Sequence, residues 1–240
     1  MSRSRKMRPL VLSAASAAMM LLGSAHNANA TFVLGTGNVG GLGDNVIINA
    51  CVGNITGPAA LVQGCFNTSH TTLIDVSTSG GGSLTANGGQ ARFDATGGNI
   101  NNFKINFADP TLGFSGIVFN INSLNGSPST VAFTVNAVDS DGNAEAAQLF
   151  NGALGNGNNF FNLTSADGEV ATSVTVLSSL INIEDIRQIR IAEEDVPECN
   201  PTTQNCGGGG PGIPEPATLF LLGSAMLGYG ALRRRRHQRS

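Results

Sequence analysis

The chain has no tryptophan, and its one tyrosine, Tyr229, lies close to the C-terminus. The stacking platforms that hold sugar rings or unpaired bases are therefore absent unless phenylalanine supplies them. Cations are missing from the middle of the chain. Of 13 lysines and arginines, Arg3, Arg5, Lys6 and Arg8 lie at the start and Arg233, Arg234, Arg235, Arg236 and Arg239 at the end. Only Arg92, Lys104, Arg187 and Arg190 remain in 31–213, where four positive charges against 15 acidic residues leave a net −11. Phosphate backbones repel such a surface, so nucleic acid is excluded as a partner.

Catalytic material is equally thin. His70 is the one histidine between residues 31 and 213, and no G-x-S-x-G, H-E-x-x-H or phosphate-binding loop occurs. Catalysis needs titratable groups brought together and tuned. His70, in "FNTSHTTL", reads as a polar loop residue, and the adjacent acids Glu184-Asp185 and Glu193-Glu194-Asp195 read as solvated strand ends. Acids from separate strands can still meet in space, but nothing in the sequence asks for an enzyme or a cofactor.

Residues 1–30 carry a basic start, an apolar run from Leu10 to Leu22 and the small-residue end Ala28-Asn29-Ala30. These are the parts of a secretory signal peptide, with cleavage expected before Thr31. The alternative, an uncleaved N-terminal anchor, is disfavoured because the apolar run is shorter than the roughly 20 residues a spanning helix needs.

Four cysteines, Cys51, Cys65, Cys199 and Cys206, follow that segment. In an oxidising compartment an even count favours disulfides, and four cysteines allow three pairings. The local pairing of Cys51 with Cys65 and Cys199 with Cys206 is preferred. Zinc is the alternative, weakened by the lack of C-x-x-C and by His70 being the only nearby imidazole.

Residues 31–195 form the expected passenger domain. Short β-branched or aromatic runs alternate there with Gly, Asn, Asp and Ser turns. In "FKINF" Phe103, Ile105 and Phe107 share a face; in "GIVFNIN" Ile117, Phe119 and Ile121 alternate with Val118 and Asn120; in "TVAFTVNAV" Val131, Phe133, Val135 and Ala137 repeat the pattern. Such alternation belongs to strands buried on one face. Further strands are predicted at 45–52, 71–76, 159–164, 169–178 and 186–193, with a short one inside the loop 77–90. Residues 143–150, "NAEAAQLF", are the only helix-like piece. Eight to ten short strands without a long helical period predict an all-β fold, an antiparallel β-sandwich of jelly-roll-like form.

In "DSDGN" Asp139, Asp141 and Asn143 alternate like calcium ligands around Gly142, but EF-hand spacing would put Ala137 first and Gln148 last. A tight turn is the plainer reading, and a weak calcium site the sharper one. Asn54, Asn67, Asn125 and Asn162 each open an N-x-[ST] sequon, a short pattern that arises often by chance.

Beyond the passenger, 196–213 is a Cys/Gly/Pro linker, flexible in its glycines. The last segment, 214–240, has three parts. Pro214 and Pro216 lack an N–H and restrict the residues before them, so Ile213 and Glu215 are held extended, a shape a protease or transpeptidase can grip. Ala217–Leu232 would make a helix of about 24 Å, short of a typical ~30 Å hydrocarbon core. Arg233, Arg234, Arg235 and Arg236 resist translocation and would hold the end on the cytoplasmic side. A permanent tail anchor beginning at Pro216 is the alternative.

Pro214-Glu215-Pro216, the apolar stretch and the arginine cluster, joined to an N-terminal signal peptide, closely resemble PEP-CTERM sorting-signal proteins. The resemblance implies export by a Gram-negative bacterium that makes extracellular polysaccharide, recognition by a membrane-embedded exosortase, and removal of the tail. It implies transient residence in the inner membrane, then attachment or release outside it. More loosely, "NFFNLTSADGEVATSVTVLSSLINIEDIRQIRI" (159–191) is similar to the closing strands of β-sandwich domains found before that signal. The address is thus clearer than the task. The leading expectation is a non-catalytic surface or matrix protein associated with polysaccharide or biofilm; a carbohydrate-binding module comes second and an exported hydrolase third.

Overall fold

Turn residues cut this chain into short strands, and the strands find antiparallel partners. A computed structural model describes residues 31–124 and 129–199. Among the described residues there are thirteen strands and no helix. They are β1 (Phe32–Thr36), β2 (Asp44–Ile47), β3 (Leu61–Phe66), β4 (Leu73–Ser77), β5 (Ser83–Asn87), β6 (Arg92–Thr96) and β7 (Asn102–Phe107), followed by β8 (Leu112–Ser123), β9 (Ser129–Val138), β10 (Gln148–Leu154), β11 (Gly157–Ser165), β12 (Val170–Ser178) and β13 (Ile183–Asp195).

The all-β, antiparallel expectation holds, and the layers are joined into a barrel. Hydrogen bonding passes from β8 to β12, β7, β4, β3, β2 and β13, and from β13 back to β8, a closed ring of seven strands. Three flaps extend it: β11 and β1 from β8, β9 and β10 from β12, and β6 and β5 from β13. Closure removes edges that would otherwise offer unpaired backbone groups to other chains.

Two narrow seams complete the ring, and a glycine sits at each. At one, Phe114 of β8 pairs with Ala171 of β12. The neighbouring Gly113 leaves no room for a side chain, because a Cβ would stand 2.5 Å from a Val170 methyl and 2.6 Å from the Ala171 carbonyl oxygen. At the other, Asp44 and Asn45 of β2 pair with Ile191 and Arg190 of β13. Gly43 has φ 59°, and a Cβ there would collide with the Ile191 backbone. Only glycine adopts that conformation freely and permits that approach.

Phenylalanine fills the interior. Phe119 meets Phe103 edge-on at 5.8 Å and tilts against Phe133 and Phe161 at 6.2 and 6.3 Å, while Phe133 and Phe161 lie 4.9 Å apart. Each fully buried ring contributes roughly 1.5–3 kcal/mol of apolar transfer, with a further increment from edge-to-face geometry. The alternating residues of 103–107 and 131–137 point into this core as their periodicity predicts.

Two local expectations change, and one strand appears that the sequence reading did not name. Residues 143–150 form no helix; Gln148, Leu149 and Phe150 open β10, whose register against Val135, Thr134 and Phe133 of β9 outweighs the helix propensity of the alanines before it. Residues 61–66 form β3, although Gly64 and Cys65 break its apolar alternation; Gly64 lets the backbone close on Val46 and Ile47. Strand β8 is buried on both faces, since Val118 and Asn120 are as inaccessible as Ile117 and Phe119.

Candidate functional site

What covers the outer face of β8 is a layer of polar side chains. Because side chains alternate along a strand, Asn120 and Asn122 point away from the phenylalanine core. Register brings Asp185 of β13 beside Asn122, and Arg187 beside Asn120. On the far edge of β13, Asp94 pairs with Asp185 and Arg92 with Arg187. On the far edge of β8, Asn158 of β11 pairs with Asn122. Four strands thus lay arginines, carboxylates and amides on one surface.

Asp185 is the centre of the group, its side chain wholly removed from solvent. Arg92 Nη2 lies 3.0 Å from its Oδ2, and Arg187 Nε lies 3.1 Å from its Oδ1, close enough to pair as ions but not aligned as a hydrogen bond. Asn122 Nδ2 donates to Asp185 Oδ2 at 3.2 Å and to Glu184 Oε2 at 2.9 Å. Burial pushes the Asp185 carboxyl above its ordinary value, against the pull of Arg187 and Arg92 and the Asn122 hydrogen bond. A buried carboxylate without such partners would be costly, which is why both guanidinium groups lean over it.

The arginines are anchored but keep part of their surface in water. Arg92 Nε also donates to Asp94 Oδ1 at 2.7 Å, and Asn87 Nδ2 donates to the other Asp94 oxygen at 2.9 Å. Arg187 Nη2 donates to Asn158 Oδ1 at 2.8 Å, an oxygen that also accepts from Asn120 Nδ2 at 3.1 Å. The second Asn120 hydrogen reaches Gln188 Oε1 at 3.0 Å, while its own Oδ1 is buried and has no partner in the protein.

Gln188 owes its place to a backbone irregularity. It is the one non-glycine residue with positive φ among the described residues, at 55°, and the β13–β8 register shifts between Arg187 and Arg190. This bulge sends Ile186, Ile189 and Ile191 to the core and leaves Arg187 and Arg190 on the polar side. Arg190 continues the row beside Val118, donating to the Val39 carbonyl at 2.9 Å and to Asn38 Oδ1. Three of the four basic residues of 31–213 are therefore collected on one face of a strongly acidic domain.

Little in the sequence announced this cluster. Glu184 and Asp185 read as a solvated end, yet Asp185 is fully buried because β6 and β8 flank it with Arg92 and Asn122. The available signal was the placing of Arg187 and Arg190 beside Asp185 in a chain with almost no other cations. Glu193, Glu194 and Asp195 do lie exposed at the end of β13, and burial together with Asp195 and Asp44 raises the Glu193 carboxyl.

The other singled-out residues fall elsewhere. Cys51 and Cys65 form a disulfide whose Cα atoms are 5.5 Å apart; no described cysteine is a free thiol, and Cys206 lies outside the described residues. Asp139 serves its own turn: Oδ1 accepts from the Asp141 and Asn143 backbone N–H groups at 2.9 and 2.8 Å, and Oδ2 from Asn143 Nδ2 at 2.9 Å. Burial would raise this carboxyl, but the Asn143, Asp141 and Gly142 hydrogen bonds together hold it below its ordinary value. Asp139 thus has both carboxylate oxygens turned to capping, and no group of three or more His, Cys, Asp or Glu side chains among the described residues is placed to hold a metal. His70 is exposed in the β3–β4 turn, where its carbonyl accepts from Val52 N–H. Among the sequons, Asn162 is buried and donates to the Gly37 carbonyl, while Asn125 lies outside the described residues. So do residues 1–30, Pro214, Glu215, Pro216 and Arg233–Arg236.

No curated protein matches this chain. One similar solved structure is the enzymatically active domain of bacteriophage CBA120 tailspike protein 4, with 16% identity over 70% of this chain, 20% of that chain and a TM-score of 0.23. The protein spans a fifth of that structure's length, and so low a TM-score says nothing about a common activity. The model of the PEP-CTERM protein-sorting motif matches residues 212–236, which takes in the Pro-Glu-Pro triplet, the apolar stretch and Arg233–Arg236. The chain therefore carries a PEP-CTERM sorting signal behind an antiparallel β-barrel, and it is an exosortase substrate.

Proposed function

We propose that this protein is a non-catalytic component of the cell surface or extracellular matrix, exported across the inner membrane of a Gram-negative bacterium and associated there with extracellular polysaccharide or biofilm. The observation that carries the reading is the sorting motif at 212–236, since it marks an exported precursor held in the membrane until an exosortase removes its tail. The acidic barrel ahead of it fits display in such a layer, because like charge keeps copies apart. Its seven-strand closure fits durability outside the cell.

A second reading, a carbohydrate-binding module, draws on the face built by Arg92, Arg187, Asn122 and Asn158. Hydroxyl groups both donate and accept, and guanidinium and amide groups fixed on neighbouring strands offer a preorganised set of complements. Phe160 of β11, register-paired with Asn120 and only half-buried, is an aromatic side chain on this face that could lie under a sugar.

Cell fractionation of the native host tests the first reading. The mature protein is expected in the polysaccharide-containing surface fraction, and its release by polysaccharide-degrading enzymes would support matrix association. Recovery from the periplasm in wild-type cells, unaffected by loss of polysaccharide synthesis, would oppose it. A glycan array separates the second reading: saturable binding lost in Arg187→Ala and Phe160→Ala favours a module, and no binding favours a structural role.

A further inference from the structure

The first peptide nitrogen of the barrel is already held by a carboxylate. Thr31 N donates to Glu169 Oε1 at 3.0 Å, although the two residues are 138 positions apart. Glu169 ends the turn between β11 and β12 and is buried, with 7% of its surface exposed. Its other oxygen accepts from Ser165 Oγ at 2.9 Å and from the Asp167 backbone N–H at 3.3 Å. Around it the chain is pinned on both sides: Ala166 N–H donates to the Thr31 carbonyl at 2.8 Å, and Phe32 N–H donates to Gln148 Oε1 of β10 at 2.9 Å. From Phe32 onward β1 is in register with β11.

Thr31 is also the residue expected to follow the signal peptide. Hydrolysis of the Ala30–Thr31 amide by a signal peptidase adds one water, leaves a carboxylate on Ala30 and frees an amine on Thr31 that takes up a proton at neutral pH. We propose that Glu169, held by Ser165 and the Asp167 amide, is the receiving site for this α-ammonium, so that the processed chain docks through a partly buried ion pair where an uncleaved chain has only a neutral hydrogen bond, and β1 is locked onto the barrel.

Three features support a built site. The carboxylate is fixed before the charge arrives, by donors on the same turn. Burial would push Glu169 up, but its hydrogen bonds from the turn and from Thr31 outweigh that, so it waits as an anion. The partner nitrogen is positioned by the β1–β11 ladder and not by a flexible side chain, so the ion pair forms with little loss of rotamer entropy. The charged group bonded to that nitrogen is Glu169; Asp167, on the same turn, gives its backbone N–H to the other Glu169 oxygen, and the neighbouring Phe32 N–H meets the neutral Gln148 of β10.

The order of events follows as well. A peptidase must hold residues on both sides of the bond it cuts, whereas Thr31 and Phe32 are engaged by Glu169, Ala166 and Gln148 once β1 has docked. Cleavage therefore precedes docking, and the new ammonium completes it. The inference rests on cleavage before Thr31 and is independent of any role in polysaccharide.

The test uses the full chain exported and processed in a Gram-negative host, carrying Lys104→Arg so that the α-amine is the only amine left after residue 30. N-terminal sequencing is expected to begin at Thr31. Isotope-labelled reductive methylation followed by NMR titration should give an α-amine pKa above about 9, against an ordinary value of about 8. Selective acetylation of that amine should lower Tm by roughly 3 °C or more, and Glu169→Gln should abolish this difference. An amine titrating near 8, an acetylation effect equally large in Glu169→Gln, or a mature N-terminus other than Thr31 would overturn the proposal. If Glu169→Gln does not fold, the titration in the parent protein decides alone.

Discussion

Arg92 Nη2 stands 3.0 Å from Asp185 Oδ2, joining an arginine side chain that is 44% exposed to a carboxylate that is wholly buried. The pair crosses from β6 to β13 and ties the outer flap to the barrel wall. Asp185→Ala is expected to cost about 3 kcal/mol, because it leaves Arg92 and Arg187 leaning on an empty polar site. Arg92→Ala should cost about 1 kcal/mol, since Arg187 and Asn122 still hold the carboxylate. Urea unfolding measures both; equal losses would show that the carboxylate is not the keystone of the group.

Carboxyls of opposite tendency set the acid response. Hydrogen bonds hold Glu169 and Asp139 below their ordinary values, so their stabilisation is present above about pH 4–5 and is lost as pH falls through their folded values. Asp185 is raised, and its contribution runs the other way, present at low pH and declining as pH rises through its folded value. Glu169→Gln should therefore flatten the acid limb of a stability–pH curve, and Asp185→Asn should leave that limb standing. Chemical denaturation between about pH 2 and 7 provides the comparison.

At the β8–β12 seam there is no spare volume. Gly113→Val should cost about 1–3 kcal/mol by forcing apart Gly113 and the Val170–Ala171 backbone. Amide exchange should then accelerate around Phe114 and Ala171 more than around Ile105 and Val174, which pair in the body of the barrel. Uniform acceleration would mean the seam is not a separate weak point.

The Cys51–Cys65 bridge spans a sequence separation of 14, for which loop-closure entropy predicts a loss of about 3 kcal/mol in the Cys51→Ser, Cys65→Ser double variant. Thermal unfolding gives the value. Peptide mapping without reduction should recover this bridge and a Cys199–Cys206 pair.

Processing has a simple readout in mass. Protein from the native host should lack residues 1–30 and the segment beyond the Pro-Glu-Pro triplet, and Pro214→Ala with Pro216→Ala should leave the tail in place. Mature wild-type protein that retains Arg233–Arg236 would point to a permanent anchor.

Much of the barrel wall was legible because burial on one face writes itself as alternation. The phenylalanines at 103, 107, 119 and 133 declared β7, β8 and β9 in this way. β3 was hidden because Gly64 and Cys65 carry close backbone approach and a disulfide in place of apolar alternation. In β13 the bulge at Gln188 changes the phase, so Ile186, Ile189 and Ile191 follow no single period. The polar cluster was hidden for a deeper reason. Arg92, Asn120, Asn158 and Asp185 come from four strands, and only the register between them makes neighbours of residues so far apart in the chain.

β13 lies beside β8, β6 and β2, and without it the ring has no seventh member. A chain threaded outward from its N-terminus delivers this strand after every other described one. Residues 196–213 then separate it from Pro214, a stretch that spans roughly 60 Å when extended. The barrel can thus close within reach of the membrane while the sorting tail is still attached. A tether of that length leaves room for the last strand to take its place before the tail is removed, so the sorting enzyme can meet a domain that is already folded.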